Sequence, residues 1–178
     1  FELTYGSAIF VKNDIKIISK GNIFIFKDSD LDPLKSNFSN LSTSLQCINF
    51  TASNKEFSVF NFHGTPFPGN KLDTKRRLLE TKRVKEIMDT KSGAKILAGD
   101  FNLLPQTQSI KIFEGGMKNL IKDYNIKKTR SNLSPFFGKP GFQDFADYIF
   151  VSNDIKVESF EVPKVEISDH LPMILQFS

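Results

Sequence analysis

Apolar and polar residues alternate with a period of two in several short runs and with a helical period in one long run, which predicts many strands interleaved with few helices. Residues 7–12, 15–19 and 23–27 are β-rich, and Lys20-Gly21-Asn22 reads as a hairpin turn between the last two. Residues 28–44, rich in Asp, Ser and Asn around Pro33, read as a loop. Residues 45–51 and 57–63 are two further strands around Ser53-Asn54-Lys55. In the second, Phe57, Val59, Asn61 and His63 share one face and Phe60 and Phe62 the other, so His63 falls at a strand end beside Gly64-Thr65-Pro66.

Residues 72–89 form the clearest helix, with Asp73 or Thr74 as its N-cap. Arg77, Thr81, Val84 and Met88 make one stripe with Ile87, and an arginine on such a stripe requires a buried partner. Residues 94–98 are a short apolar strand running into Gly99-Asp100-Phe101-Asn102, and a shorter helix covers 109–113. Residues 122–144 read as a polar, basic loop region, and 145–151, 155–162 and 171–177 close the chain as strands. This order argues for a single α/β or α+β sandwich.

The 178 residues, 39% hydrophobic and 25% charged, suit one folded domain and exclude a disordered polyelectrolyte. No apolar run approaches a membrane span and no secretory leader is recognisable, which leaves a cytoplasmic protein as the expectation and the oligomeric state open. The single cysteine, Cys47, excludes a disulfide scaffold and a cysteine-built zinc site, and reads as a buried, inert thiol. The net charge of +4 is modest, but it is unevenly spread. Residues 71–85 carry seven basic and two acidic groups, and 111–130 carry six and two. These runs are solvated Lys-rich faces or a nucleic-acid footprint.

Taken singly, the candidate chemical groups are ambiguous. Asp100 and Asn102 after a strand make an Asx-type turn or a reactive pair. Asp147 stands inside an apolar strand, where an unpaired carboxylate would cost several kcal/mol, about 2 or more, so it needs a partner. Asp169-His170 opens the last strand and, alone, is a common surface turn. Their joint occurrence changes the picture, because the chain has only two histidines and both fall at strand ends beside these carboxylates. In order, His63, Gly99-Asp100-Phe101-Asn102, Asp147-Tyr148 and Ser168-Asp169-His170-Leu171-Pro172 resemble the endonuclease/exonuclease/phosphatase superfamily. The resemblance begins near Tyr5-Gly-Ser-Ala-Ile-Phe-Val-Lys and reaches the C-terminus.

That resemblance implies a DNase-I-like α/β sandwich of two mixed β-sheets flanked by helices. It implies a Mg²⁺-dependent phosphoester hydrolase, with Mn²⁺ as a substitute, of which a phosphodiesterase or nuclease acting on nucleic acid is the leading form. A phosphomonoesterase or phospholipase-type hydrolase of the same fold, or a non-catalytic phosphate- or nucleic-acid-binding module, are the alternatives. By resemblance Asp100 orients or deprotonates the attacking water, Asn102 helps to fix it, and His170 donates to the phosphoryl oxygens while Asp147 holds its tautomer. Asp169 reaches the metal, and His63 with Asn61 contacts the phosphate. The family's upstream Asn and metal-binding Glu match no residue here, so the chain is expected to be the C-terminal two-thirds of a domain lacking its first strands, and to bind Mg²⁺ weakly by itself. The family often has a basic residue where Phe145 stands. Arg130, followed by Phe136-Phe137-Gly138, lies where relatives vary their substrate contacts; it is a phosphate grip beside base-stacking aromatics, or part of a solvated loop.

Overall fold

The computed structural model describes residues 6–26 and 42–178. Three strands open it: β1 (Ile17–Phe26), β2 (Thr43–Ala52) and β3 (Lys55–Phe62). A crossover through α1 (Lys75–Asp89) leads to β4 (Ala94–Asp100), then α2 (Gln108–Glu114), β5 (Met117–Asn119), α3 (Leu120–Asp123) and β6 (Asp147–Ser152). The hairpin of β7 (Val157–Glu161) and β8 (Ile174–Phe177) closes the chain. Strands β1-β2-β3-β4-β6-β5 form one mixed sheet, parallel only between β3 and β4, and β7-β8 form a second, antiparallel one.

Ring contacts show what covers each face of the large sheet. Phe62 meets Phe101, which meets Phe113 of α2 and Phe150 of β6, while Phe57, on the opposite face of β3, packs edge-on against Phe177 of β8. The period-2 alternation of β3 therefore separates a helix-side core from a core shared with the small sheet. On α1 the expected stripe of Arg77, Thr81, Val84, Ile87 and Met88 is buried. Thr74 is the cap, accepting from the Arg77 amide, whereas Asp73 caps the other helix by accepting from the Gln108 and Ser109 amides. Cys47 is buried, and burial pushes its thiol upward.

Several expectations are corrected. Lys20-Gly21-Asn22 is no turn, because β1 runs through it and pairs with β2 from Ile17 opposite Phe50 to Phe26 opposite Thr43; a ten-residue partner supplies ladder bonds that the local turn composition does not override. Residues 7–12 form no strand, although the Ser7 carbonyl accepts from Gln46 Nε2. Of the loop expected over 28–44, residues 28–41 with Pro33 lie outside the described residues, as do Lys27 and Tyr5, and Thr43-Ser44 open β2. The region 122–144 contains the end of α3, and the closing strand is confined to β8. Ser53 and Asn54, both at positive φ, form the tight turn between β2 and β3. Among the described residues, no helix is long and apolar enough to cross a membrane.

The parallel ends of β3 and β4 touch at a glycine. A Cβ on Gly99, whose φ is +141°, would stand 2.0 Å from the Phe62 carbonyl oxygen, whereas one on Gly21 meets nothing within 4 Å. Gly99→Ala should lower stability by about 3 kcal/mol, and Gly21→Ala should stay within about 0.5 kcal/mol of wild type, as read by chemical denaturation. Equal effects of the two would contradict this packing.

Candidate active site

The segment after β3 carries His63 and is fastened to α1 by two buried charges. Arg77, 1% exposed, donates to the carbonyls of Thr65, Pro68 and Leu72 at 3.2, 2.7 and 2.6 Å, so the partner its position required is backbone. Glu80 accepts from the Thr65 amide and hydroxyl, from Thr43 and from Arg76. Buried charges so fully bonded set loop geometry at little residual cost.

The second segment is the turn that ends β4. Phe101 is buried among Phe62, Phe113, Tyr148 and Phe150, which turns its neighbours Asp100 and Asn102 to the other side. Asp100 Oδ1 accepts from the Asn102 amide at 2.8 Å, and Asn102 sits at φ +53°. The Asx turn is thus real, and it leaves Oδ2 free. Gly64 N donates to the Asp100 carbonyl at 2.8 Å, Asn102 Nδ2 donates to the Gly64 carbonyl at 3.0 Å, and Tyr148 Oη donates to the Leu103 carbonyl.

The third segment is a clasp around Arg130. Fully buried Thr129 accepts, through its hydroxyl, from the amides of Ala146 and Asp147, and its carbonyl accepts from the Leu171 amide. Ser131, also fully buried, donates to the Ser168 carbonyl, and its amide donates to the Asp169 carbonyl. Segment 129–131 therefore ties the start of β6 to Asp169-His170.

These segments converge on one cleft of about 520 Å³, bordered by the polar side chains of His63, Lys71, Asp100, Asn102, Arg130 and His170 and by the apolar ones of Phe67, Phe136, Pro140 and Phe142. His170 Nδ1 lies 2.8 and 3.0 Å from the two oxygens of Asp147. A carboxylate only accepts, so Nδ1 carries the proton and Nε2 is turned toward the cleft. Asp100 Oδ2 is 3.8 Å from His63 Nε2 and 3.9 Å from His170 Nε2, and Asp169 Oδ2 is 3.7 Å from the latter. These gaps are too long for direct hydrogen bonds and leave each group available to an atom lodged between them. The Asp147 hydrogen bond raises His170 above its ordinary value, and burial holds the Asp147 carboxyl above its own.

A fold of this kind has counterparts in known proteins. The sequence matches the Endonuclease/Exonuclease/phosphatase family over residues 1–170. The chain belongs to that family. A mannosyl-6-phosphatase of Bacteroides thetaiotaomicron superposes with a TM-score of 0.70 at 24% identity, covering 92% of this chain and 67% of that one. The human nocturnin catalytic domain with a bound sulfate anion gives 0.62 at 20%, covering 95% and 61%, and D. rerio TDP2 with a single-strand DNA product gives 0.59 at 13%, covering 92% and 68%. The fold is accordingly DNase-I-like, and the chain spans about two thirds of the length of these structures. No curated sequence matches significantly. The activities in the family's name are all hydrolyses of phosphate esters.

Within this family member, His63, Asp100, Asn102, Arg130 and His170 border the cleft, and Asp147 stands behind His170. Asp169 is not on the cleft lining but touches two residues that are, pairing with Arg130 at 3.1 Å beside His170. Asn61 is not on the cleft lining; its amide donates to Gln46 Oε1 at 3.0 Å and to the Ala8 carbonyl. Asn102 is present but committed, since its oxygen accepts from Lys71 Nζ while its nitrogen holds Gly64. Phe145 lines a different hollow with Lys111 and Lys122. The residue that sequence reasoning missed is Lys71, because a lysine in a Gly-Asn-Lys turn looks solvent-bound; its proximity to His63 along the chain was the available signal.

Asp100, Asp147 and His170 each offer an atom within 4.8 Å of the others and could hold a metal ion. Both oxygens of Asp147 are spent on the imidazole, however, so the oxygen donors left are Asp100 Oδ2 and the Asp169 carboxylate. A hard cation that keeps most of its waters needs one or two such carboxylates, so the donor set fits.

A folded His170 raised above 6.5 contributes stability fully below pH 6.5, and that contribution is lost as pH rises through the folded value. In an NMR titration of the metal-free protein His170 should titrate above 6.5, and Asp147→Asn should move it down. An unchanged titration in the variant would contradict the pairing.

Proposed function

We propose that the protein is a metal-dependent phosphoester hydrolase in which Asp100 and the Asp147–His170 pair carry the chemistry. The observation that carries this reading is the line from Asp147 through His170 Nδ1 and Nε2 to Asp100 Oδ2, opening on the cleft. Asp100 Oδ2 orients a water and takes its proton as the water oxygen attacks phosphorus. The phosphorus–oxygen bond to the leaving group breaks, and the departing oxygen keeps the bonding pair and takes a proton from solvent. His170 Nε2, supplied with positive character by Asp147, faces the phosphoryl oxygens, on which charge accumulates. Mg²⁺ or Mn²⁺ held by Asp169 would neutralise phosphate charge when bound.

A compact phosphodiester is the substrate this cleft suits best. Of the two basic runs, Lys71 and Arg130 border it, whereas Lys111 and Lys122 face another hollow and Lys82 and Arg83 are exposed along α1. A long nucleic-acid track would call for these charges along the cleft. Phe67 and Phe136, 47% and 60% exposed, with Phe142 offer flat apolar surface to a base or aryl group beside the phosphate. A nuclease reading is favoured by one observation, the single-strand DNA product on TDP2.

The full-length protein should hydrolyse bis-p-nitrophenyl phosphate and a dinucleotide with Mg²⁺ or Mn²⁺ and lose activity with chelator. Asp100→Asn and Asp147→Asn should each lower kcat about 10²- to 10⁴-fold with smaller changes in KM. Metal-dependent turnover unaffected by both substitutions would contradict the assignment, and a strong preference for long strands over the dinucleotide would favour a nuclease.

A further inference from the structure

Lys71 is buried, 8% exposed, at the floor of the cleft, and is held at φ +57°, a left-handed conformation uncommon for a residue with a side chain. Its backbone is fixed on both sides: its amide donates to the Pro68 carbonyl and its carbonyl accepts from the Leu104 amide at 2.9 Å. The loop that carries it is the one whose carbonyls Arg77 grips. An ammonium has three N–H donors, and Lys71 spends two, on the Pro66 carbonyl at 3.1 Å and on Asn102 Oδ1. Both acceptors are neutral. Among the described residues no carboxylate touches this amine, and the acidic influence it feels most, from Asp100, acts through space.

Arg130 is in a related position on the same cleft. Its Nη2 pairs with Asp169, while its Nε is buried and has no hydrogen-bond partner among the described residues. Two cations on one cleft therefore each keep a donor that the protein does not satisfy. Buried donors of this kind are rare unless a ligand or water completes them. Asp100 and His170 line the same cleft, and a carboxylate that already serves the Asn102 amide does not neutralise both cations.

We propose that Lys71 is a substrate-binding residue of this cleft and forms, with Arg130, a two-cation clamp for the phosphate group. The clamp rests on the phosphoester reading above and extends it to a residue outside the strand-end motifs. A tetrahedral oxyanion has oxygens to accept from the Lys71 ammonium and the Arg130 guanidinium at once, and a buried ammonium facing it gains far more than a solvated one. Burial pulls the Lys71 amine down to about 8, which is the cost expected of a cation held without a contacting carboxylate. Asn102, in this arrangement, acts as a positioning residue that aims Lys71.

The test uses the full-length protein and inorganic phosphate as probe. Titration followed by the ¹⁵Nζ signal of Lys71 should shift that signal in step with phosphate saturation. Lys71→Met should weaken phosphate binding about tenfold or more and raise KM more than it lowers kcat, and Lys71→Arg should restore part of both. The wild-type lysine signal keeps the test valid should the methionine variant fold poorly. Phosphate saturating the protein without moving the Lys71 signal, or a folded Lys71→Met with wild-type affinity and KM, would overturn the clamp. Hydrolysis that proceeds despite such a result removes the clamp alone, whereas Lys71-dependent phosphate binding without any phosphoester hydrolysis removes the reaction and keeps the clamp.

Discussion

The close contact between the C-terminal ends of β3 and β4 is the constraint on which the site depends. Gly99 lies against the Phe62 carbonyl and Gly64 against the Phe101 carbonyl, each too near for a side chain. The Gly64 amide then bonds the Asp100 carbonyl, and the Phe101 amide bonds the Ala146 carbonyl of the segment entering β6. Parallel strands normally diverge into their separate crossovers at this point. Here they are sewn together for one further residue pair, which sets His63 beside Asp100 and brings Asp147 up behind them. The geometry of the candidate site at this end of the sheet is thus a consequence of two missing side chains.

The buried charges around this junction fall into two kinds. Arg77 and Glu80 are bonded entirely within the protein, to loop carbonyls and to Thr43, Thr65 and Arg76, and their work is to shape the loop after β3. Asp147, Lys71 and Arg130 differ: the first is bonded to His170 at the cleft, and the other two line the cleft with N–H groups that acceptors among the described residues do not all match. Fully satisfied charges stabilise a geometry, and partly satisfied ones store the capacity to bind a ligand of opposite sign.

Much of this was legible in the sequence, and the failures have physical reasons. The alternation in β3 and the stripe on α1 could be read because burial and periodicity act locally, and the four strand-end motifs because together they resemble those of the family. The need of Asp147 for a partner followed from its apolar strand, and the partner is His170. Lys20-Gly21-Asn22 misled because turn composition is weaker than pairing along a long neighbour. The burial of Lys71 was not legible because it is imposed by Leu104, Pro66 and Asn102, two of which lie about thirty residues away in the chain. Thr129 and Ser131, read as part of a basic loop, hold Arg130 through bonds to segments that no local pattern connects.

Family membership supports the phosphoester reading proposed above, and the cleft adds its distribution of charge and apolar surface. The central claim is that water activated beside Asp100 attacks phosphorus. Hydrolysis of a phosphodiester by the full-length protein in ¹⁸O-enriched water tests it most directly. The account requires the label in the phosphoryl product, at a rate that collapses in the Asp100→Asn variant; label in the alcohol product, or label in the phosphate at an undiminished rate in that variant, would contradict it.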